Sequence, residues 1–178
     1  MALEIERRFF VCGDGWRAHA DGGTPLEQGY LSSGGGEAVT LRVRRRRCSV
    51  VGMADRQPQR AWLTLKAVAG GIARHEFEYP IPDADAVALL QLCPARVEKV
   101  RYHLDLPGGD WVLDRFEGTN GGLLLAEVEL AREDAALDLP DWLGAEVTGI
   151  GSLSNAALAA QPWMHRSDEQ RQRLGAPG

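Results

Sequence analysis

Hydrophobic and polar residues alternate with a period of two in many short segments, which clusters of Gly, Pro and Asp separate. This period is typical of β-strands, whose successive side chains point to opposite faces of a sheet. The pattern predicts eight strands, at about 2–11, 26–31, 38–47, 60–68, 73–81, 97–106, 110–118 and 123–131. The connections Pro107–Asp110 and Gly118–Gly122 have the composition of hairpin turns, which favours antiparallel pairing.

Helical signals are few. The segment Pro82–Cys93 begins with acidic residues, contains periodic apolar residues and is followed by a proline, and it therefore predicts a helix. A second helix is predicted at about 152–160, with serine available as its N-cap, and a single helical turn at about 141–143.

Neither an internal repeat nor a domain linker is visible, so a single domain is expected at residues 1–164. Its fold class is α+β, mainly β, because runs of strands are interrupted by only a few helices. The polar tail at residues 165–178 is expected either to be disordered or to form a short lid helix, at about 167–174.

The composition narrows the class of protein. The 178-residue chain has a formal net charge of −5 and no run of 18 apolar residues, so we expect neither a nonspecific nucleic-acid binder nor a membrane-spanning helix. The first residues lack the pattern of a signal peptide. The cysteines Cys12, Cys48 and Cys93 are odd in number and widely spaced, which favours neither a disulfide framework nor a zinc site. Cysteines that form no disulfide framework fit a reducing compartment, so the expected location of the protein is the cytoplasm.

One face of most predicted strands carries charged residues at alternate positions. Seven acids and six bases lie on this face, and charges of the same sign stand two positions apart on five strands. These residues are Glu4, Glu6, Glu76, Glu78, Asp114, Glu127, Glu129, Arg8, Arg42, Arg44, Lys66, Lys99 and Arg101. Neighbours two apart on a strand are separated by about 7 Å, so they repel unless an opposite charge comes between them.

The solvated outer face of a sandwich is one interpretation of this pattern, but such faces usually mix charges with neutral polar residues. A closed barrel is the other interpretation, with its apolar face outward beneath the helices and its charged face inward. A barrel of about eight strands has room inside for side chains or one small ligand. The cations would attract a polyanion and the carboxylates would attract Mg²⁺ or Mn²⁺, so a metal–polyphosphate complex would satisfy both.

These residues resemble the motifs of the CYTH superfamily, the triphosphate tunnel metalloenzymes. The segment Glu4–Arg8 is similar to the family's Glu-x-Glu-x-Lys hallmark, with Arg8 in place of the lysine. Further matches are Gln28–Leu31, Leu41–Arg44, Leu63–Lys66, Glu76–Glu78, Lys99–Arg101 and Ala126–Glu129. The resemblance covers residues 1 to about 160 and implies a closed eight-stranded antiparallel barrel, a tunnel with a charged lumen.

The resemblance also implies roles for individual residues. The metal ligands, for one or two Mg²⁺ or Mn²⁺ ions, would be Glu4, Glu6, Asp114, Glu127 and Glu129. The phosphate-binding bases would be Arg8, Arg42, Arg44, Lys66, Lys99 and Arg101. The residues expected to be catalytic are Glu4, Glu6, Lys66 and Arg8. Glu76 and Glu78 match tunnel carboxylates whose role, metal binding or structural pairing, stays open.

The function implied is metal-dependent hydrolysis of inorganic tripolyphosphate to pyrophosphate and phosphate, by in-line attack of an activated water. Alternatives within the superfamily are an adenylate cyclase and a hydrolase of thiamine triphosphate or a nucleotide. Trp62, Trp111 or Trp163 could supply an aromatic pocket for an organic group, unless they serve only in packing. A noncatalytic polyphosphate- or nucleotide-binding module is an alternative of another class, but it would not need inward carboxylates. The expected assembly is a monomer or homodimer.

Overall fold

Eight antiparallel strands close into a barrel, as the alternation predicts. The structure is a computed structural model that describes residues 3–33, 39–47, 60–70 and 73–177. The strands are Leu3–Val11 (β1), Thr24–Ser33 (β2), Val39–Arg46 (β3), Ala61–Gly70 (β4), Ala73–Ile81 (β5), Arg96–Leu104 (β6), Asp110–Phe116 (β7) and Leu124–Glu129 (β8). Their order around the barrel is β5-β4-β3-β2-β6-β7-β8-β1, and pairing of β1 with β5 completes the circle.

The first strand pairs with three neighbours along its length. Residues 3–5 pair with β5, residues 6–10 pair with β8, and the end of β1 pairs with a ninth strand, Leu143–Glu146 (β9). The single turn expected at 141–143 is present, since the Leu143 N–H donates to the Pro140 carbonyl oxygen at 3.1 Å, and it leads directly into β9. This strand was not predicted because it has only four residues, Leu-Gly-Ala-Glu, which do not alternate.

The register between the strands brings the charged positions together inside the barrel. Arg8 lies opposite Glu127, and Arg101 lies opposite Asp114. Residues that pair directly across two strands point to the same face of the sheet. Arg42 and Glu127 are each only 9% exposed, so this face is enclosed and is not the outer surface of a sandwich.

The apolar face points outward and is covered by helices and loops. Helix α1, Asp83–Leu92, confirms the predicted helix and packs Ala86 and Leu90 against Val43 and Ala61 on the barrel wall. A larger cluster on the outer side of β1, β7 and β8 includes Phe9, Trp16, Trp111, Val128 and Trp142. The hydrophobic core thus lies between the barrel wall and its cover.

Residues 151–165, which we call the C-terminal segment, close part of one end of the barrel. It contains a 3-10 turn, Gly151–Leu153, and helix α2, Asn155–Ala160, whose first turn is capped by the Ser154 side chain. Apolar residues of this segment pack with lumen-facing residues of the strands in one cluster, which includes Phe10, Tyr30, Val97, Phe116, Leu125, Leu153, Leu158 and Trp163. The lumen is therefore charged along only part of its length.

The polar tail contains a third helix, Asp168–Arg173 (α3). A capping box formed by Ser167 and Gln170 begins this helix, because each side chain binds the backbone of the other residue. Leu174 follows the helix and packs against the cluster that contains Trp163. The domain limit at residue 164 and a lid function for the tail stay predictions.

The lengths of the helices and the state of the cysteines also bear on the class of protein. None of the helices in the described part of the chain is long and apolar enough to span a membrane. Cys12 is an exposed free thiol and Cys93 a buried one, whereas Cys48 lies outside the described residues.

Gly109 allows the close approach of β7 and β8. A Cβ at this position would meet the Glu129 carbonyl oxygen and would lie 2.7 Å from a Val128 methyl group. Because the carbonyl belongs to the backbone, the strands would have to move, and Gly109→Ala should lower the free energy of unfolding by about 1–3 kcal/mol. Urea denaturation measures this change. In the control, Gly151→Ala, the Cβ would meet no atom within 4 Å. Equal destabilisation by both variants would contradict the explanation.

Candidate active site

The barrel interior contains two cavities that share part of their lining. The first cavity, of about 690 Å³, opens beside Trp62 and Asp110. The second cavity, of about 490 Å³, opens beside Lys66 and the C-terminal segment. The residues that line both cavities are Glu4, Glu6, Arg44, Arg101 and Glu127. All five were predicted from the alternation, and they form the middle of the candidate site.

Two arginines of β3 are paired with carboxylates of β5. Arg42 lies 3.3 Å from Glu76 and 3.4 Å from Glu78, and it also donates to the Thr64 hydroxyl at 3.0 Å. Arg44 donates to both oxygens of Glu78, at 3.0 and 2.8 Å. These contacts favour structural pairing as the role of Glu76 and Glu78. A bound phosphate chain would compete with them for the guanidinium groups.

Lys66 lies between two carboxylates at the wall of the second cavity. Its Nζ is 2.6 Å from Glu4 Oε2 and 3.0 Å from Glu76 Oε2. Burial raises the pKa of Glu4 to about 7, although the charge of Lys66 opposes the shift. Burial would also raise the pKa of Glu76, but Lys66, Glu4 and Arg42 together outweigh it, so this pKa is lowered. Of the two carboxyl groups beside Lys66, Glu4 is therefore the one that takes up a proton first as the pH falls through about 7.

Glu6 and Glu129 face each other on β1 and β8. Within the described ranges, neither side chain has a hydrogen bond or an ion pair, in contrast to the other lumen carboxylates. Burial raises the pKa of Glu6, and the nearby charge of Glu127 raises it further, although Arg8 and Lys66 oppose the shift. This part of the lumen therefore has an excess of crowded negative charge, which a cation would balance.

These carboxylates fit a hard divalent cation. No three acidic, histidine or cysteine side chains in the part of the chain that the structure describes converge closely enough to hold a metal ion by themselves. Mg²⁺ usually keeps several waters and is bound by one or two carboxylates together with phosphate oxygens of a substrate. The open arrangement of Glu4, Glu6 and Glu129, all oxygen donors, matches this kind of site.

A chain of buried ion pairs extends from the lining of the cavities to Lys99 and Asp114, which line neither cavity. Lys99 Nζ is 2.5 Å from Asp114 Oδ2, and both Asp114 oxygens accept hydrogen bonds from Arg101, at 2.8 and 2.7 Å. Arg101 also donates to Glu127 Oε2 at 2.9 Å. The other oxygen of Glu127 is 3.1 Å from Arg8 Nε. We call this sequence of contacts, from Lys99 to Arg8, the buried charge chain.

The members of the buried charge chain differ in their access to the lumen. Lys99 and Asp114 have no exposed surface and line neither cavity, whereas Arg101 lines both. Burial alone would raise the pKa of Asp114, but Arg101 and Lys99 outweigh it and hold this pKa well below its usual range. Asp114 as a metal ligand and Lys99 as a phosphate contact stay predictions, and the geometry favours a supporting role for both.

Several lumen residues were missed by sequence reasoning. Arg46 continues the alternation of β3 into the first cavity, where its guanidinium lies over the Trp62 ring at 5.1 Å. Arg74 continues the alternation of β5 into the second cavity. The alternation already placed Arg46 on the charged face, although it was not included among the phosphate-binding bases, whereas extending the period of two on β5 by one step would have found Arg74. Asn155, which accepts a hydrogen bond from Lys99 at 3.0 Å, had no such signal because the C-terminal segment brings it there.

Known proteins resemble this chain over nearly its whole length. The model of the CYTH domain family matches residues 2–157. An inorganic triphosphatase of Acetivibrio thermocellus is 37% identical over 165 residues, which cover 92% of this chain and 97% of the relative. An inorganic triphosphatase of Nitrosomonas europaea is 39% identical over 165 residues, which cover 88% and 96%. The crystal structure of an inorganic triphosphatase has a TM-score of 0.59 and 34% identity, and covers 89% of this chain and 95% of that chain.

Proposed function

The chain belongs to the CYTH domain family, and from this membership we propose that it is a metal-dependent triphosphatase that hydrolyses inorganic tripolyphosphate to pyrophosphate and phosphate. The observation that carries the proposal is the enclosed lumen, in which Arg44 and Arg101 line both cavities beside the carboxylates Glu4 and Glu6. The two relatives that are named inorganic triphosphatases support the choice of substrate.

The arginines of the lumen would hold the phosphate chain. Arg8 and Arg42 line the second cavity, and Arg44 and Arg101 stand where the two cavities meet. A guanidinium can present two parallel N–H groups to an oxyanion, so an arginine whose donors are released from a carboxylate can bind a phosphate bidentately. A bound triphosphate would replace Glu78 as the partner of Arg44. The enclosure of these charges in the barrel makes them more effective than they would be at the surface.

The carboxylates Glu4, Glu6 and Glu129 would hold the divalent cation, and we propose Mg²⁺ or Mn²⁺ because all the donors are oxygens. When bound, such an ion neutralises phosphate oxygens and makes a bound water more acidic. Lys66 stands 2.6 Å from Glu4 and so places a positive charge beside this carboxylate group. That charge favours the ionised form of Glu4 that ligation requires.

Positioning and charge neutralisation account for most of the catalysis of phosphoryl transfer, so the protein needs no covalent intermediate. Arg8 is held by Glu127 and by the Leu153 carbonyl, to which it donates at 3.0 Å. Because an arginine does not lose its proton in a protein, Arg8 serves as a fixed positive charge and not as a base. The arginines would hold the triphosphate in line with the attacking water and neutralise the leaving pyrophosphate.

A panel of tripolyphosphate, ATP, thiamine triphosphate and pyrophosphate, each with Mg²⁺ and with Mn²⁺, tests the proposal. We expect tripolyphosphate to be hydrolysed with the highest kcat/KM and to release one phosphate per molecule. Pyrophosphate should not be hydrolysed, because it spans fewer of the arginines. Faster hydrolysis of an organic triphosphate with either metal would contradict the proposed substrate.

An organic triphosphate is the second candidate substrate, and Trp62 is the observation that favours it. This side chain is half-buried and lines the first cavity. Trp111 also lines that cavity but is only 2% exposed and packs in an apolar cluster, and Trp163 packs in another cluster and lines neither cavity. Arg44 and Arg46 both lie over the Trp62 ring, at 5.3 and 5.1 Å. If an organic group binds there, Trp62→Leu should reduce activity on ATP or thiamine triphosphate and leave that on tripolyphosphate unchanged.

Divalent ions should stabilise the protein more at pH 8 than at pH 5. Burial raises the pKa of Glu4 from 4.5 to about 7 and also raises that of Glu6. The folded state therefore binds more protons than the unfolded state between these values, and the stability due to these groups is lost as the pH rises through about 7. At pH 8 a divalent ion would take the place of the protons on Glu4 and Glu6. Calorimetric scans should show a larger rise in Tm with Mn²⁺ at pH 8, and equal rises at both pH values would contradict this ligand set.

A further inference from the structure

The buried charge chain is attached to the C-terminal segment at both of its ends. At one end, Lys99 Nζ donates to Asn155 Oδ1 at 3.0 Å. At the other end, Arg8 Nη2 donates to the Leu153 carbonyl oxygen at 3.0 Å. Leu153 and Asn155, which are only two residues apart, thus hold both ends of the buried charge chain. Arg101, an inner member of the buried charge chain, lines both cavities. The C-terminal segment is therefore coupled to the arginines of the lumen by direct contacts.

Lys99 depends on Asn155 because it has no access to water. Its side chain has no exposed surface, and its ammonium lies 5.6 Å from the centre of the Phe116 ring. An ammonium group has three N–H donors, and in the described part of the chain Asp114 and Asn155 are the partners that accept from it. Without Asn155, a buried N–H of Lys99 would lack a partner, which is costly in the protein interior.

Asp114 contacts both Lys99 and Arg101, so the position of Lys99 affects the orientation of Arg101. One oxygen of Asp114, Oδ2, lies 2.5 Å from Lys99 and also accepts from Arg101 at 2.7 Å. Arg101 is held by both oxygens of this carboxylate, so its guanidinium plane follows the plane of Asp114. A displacement of Lys99 would shift Asp114 and rotate Arg101. Small errors of this size in a group that contacts the substrate are sufficient to slow catalysis strongly.

We propose that Asn155 is a positioning residue for the hydrolysis: it holds Lys99 against Asp114 and thereby fixes Arg101 in the orientation in which it binds the triphosphate. The proposal rests on the proposed function, since it assigns Arg101 to the substrate. It also explains why a neutral amide, which sequence patterns did not select, stands at the end of a chain of charged groups.

The first variant is Asn155→Ala, assayed with tripolyphosphate at saturating Mn²⁺ and well below its Tm. Loss of a supporting contact of this kind usually reduces activity about 10- to 100-fold. We expect kcat to fall by this factor and KM to change less than about threefold, because the arginines would still attract the substrate while Arg101 is misaligned for the transition state. A kcat within about twofold of the parent protein would overturn the proposal.

The second variant, Asn155→Asp, distinguishes positioning from direct substrate binding. Asn155 lines the second cavity, so its amide N–H groups could also contact a phosphate. Aspartate keeps the oxygen that accepts from Lys99 but loses the N–H groups and places a negative charge beside the substrate. If Asn155 acts through Lys99, this variant should restore kcat to within about threefold of the parent value. A kcat as low as that of Asn155→Ala would overturn the proposal.

Asn120→Ala is the matched control for loss of packing. Asn120 is buried and binds the same segment, through the Leu158 carbonyl at 3.1 Å and the Trp163 N–H at 2.7 Å. Neither contact involves the buried charge chain. This variant should lower the Tm at least as much as Asn155→Ala and leave kcat within about twofold of the parent value. Equal losses of kcat in both variants would show that only the packing of the segment matters, which would overturn the proposal.

Crystal structures of the parent protein and of Asn155→Ala separate this proposal from the proposed function. We expect the variant to lose at least one of the two contacts between Arg101 and Asp114. Retention of both contacts would overturn the positioning role, whether or not the protein hydrolyses tripolyphosphate. Conversely, a parent protein without triphosphatase activity would overturn the proposed function, and the displacement of Arg101 would still be measurable.

Discussion

Replacement of Glu6 by glutamine should reduce the hydrolysis of tripolyphosphate about 100-fold at limiting Mn²⁺ and should weaken Mn²⁺ binding by about tenfold or more. Glu6 faces Glu129 across β1 and β8, and within the described part of the chain it forms no direct ion pair, although Arg8 and Lys66 act on it from a distance. Glutamine keeps the size of the side chain and one oxygen but removes the charge that a metal ion would bind. Initial rates over a series of Mn²⁺ concentrations, together with calorimetry of Mn²⁺ without substrate, measure both effects.

Glu127→Gln is the matched control for this experiment. One oxygen of Glu127 is 3.1 Å from Arg8 Nε, and the other accepts from Arg101 at 2.9 Å. Because both oxygens already face arginines, this variant should slow turnover while its Mn²⁺ affinity stays within about twofold of the parent value. If Glu127→Gln weakens Mn²⁺ binding as much as Glu6→Gln does, Glu127 is a metal ligand, as the family resemblance implies.

Much of the barrel could be predicted from the sequence because its determinants are local. A strand is recognised by apolar and polar residues that alternate with a period of two, and the same period tells which residues share a face. This is why Glu4, Glu6 and Arg8 could be assigned to one face of β1 before their partners were known. Helix α1 could be predicted from its acidic start and the proline that follows it, but not the face that packs Ala86 and Leu90 against the wall, because Val87 and Leu92 are also apolar and lie exposed.

The pairing of charges inside the lumen could not be predicted, because it depends on the register between strands that are distant in sequence. The alternation put Lys99 and Asp114 on the lumen face, where both were expected to contact ligands. In the structure they are paired at the level where the C-terminal segment and apolar side chains close the barrel. The period of two tells which face of a strand a residue is on, but not how far along the barrel axis the residue lies. The position along the axis decides which charged side chains reach the cavities.

The substitution in the family hallmark also becomes clear only in three dimensions. Arg8 takes the place of a lysine, and its Nη2 donates to the Leu153 carbonyl while its Nε lies 3.1 Å from Glu127. A lysine ammonium is a single point of attachment, whereas the guanidinium has donors that point in different directions. Arg8 can therefore contact β8 and the C-terminal segment at the same time, and it makes the segment part of the charged site.

Asp114→Asn should lower the free energy of unfolding by about 3 kcal/mol at pH 6, because it leaves two buried cations, Arg101 and Lys99, without their shared carboxylate. Burial lowers the pKa of Lys99 to about 7, so pH 6 is the condition in which both groups are charged in the parent protein. For a protein of this size the Tm should fall by about 6–12 °C. Thermal and urea denaturation measure the change. The control, Glu129→Gln, removes a carboxylate that has no ion pair within the described ranges, and its effect should stay below about 0.5 kcal/mol. Similar losses in both variants would contradict a specific role of the buried pairs.

The difference between the parent protein and Asp114→Asn should also depend on pH, because only the parent can lose the charge. Arg101 and Lys99 hold the pKa of Asp114 in the folded protein well below its value in the unfolded chain. The stability that the ionised carboxylate contributes is therefore fully present above the unfolded pKa, near pH 4, and is lost as the pH falls towards the folded pKa. The gap in unfolding free energy between the two proteins should be largest near pH 6 and should narrow by about 1 kcal/mol at pH 3. It should also narrow above pH 7, because burial lowers the pKa of Lys99 to about 7 and this partner of Asp114 then loses its charge. A gap that stays the same down to pH 3 would show that the two cations do not hold Asp114 in its ionised form, and the buried charge chain would then lack its central link.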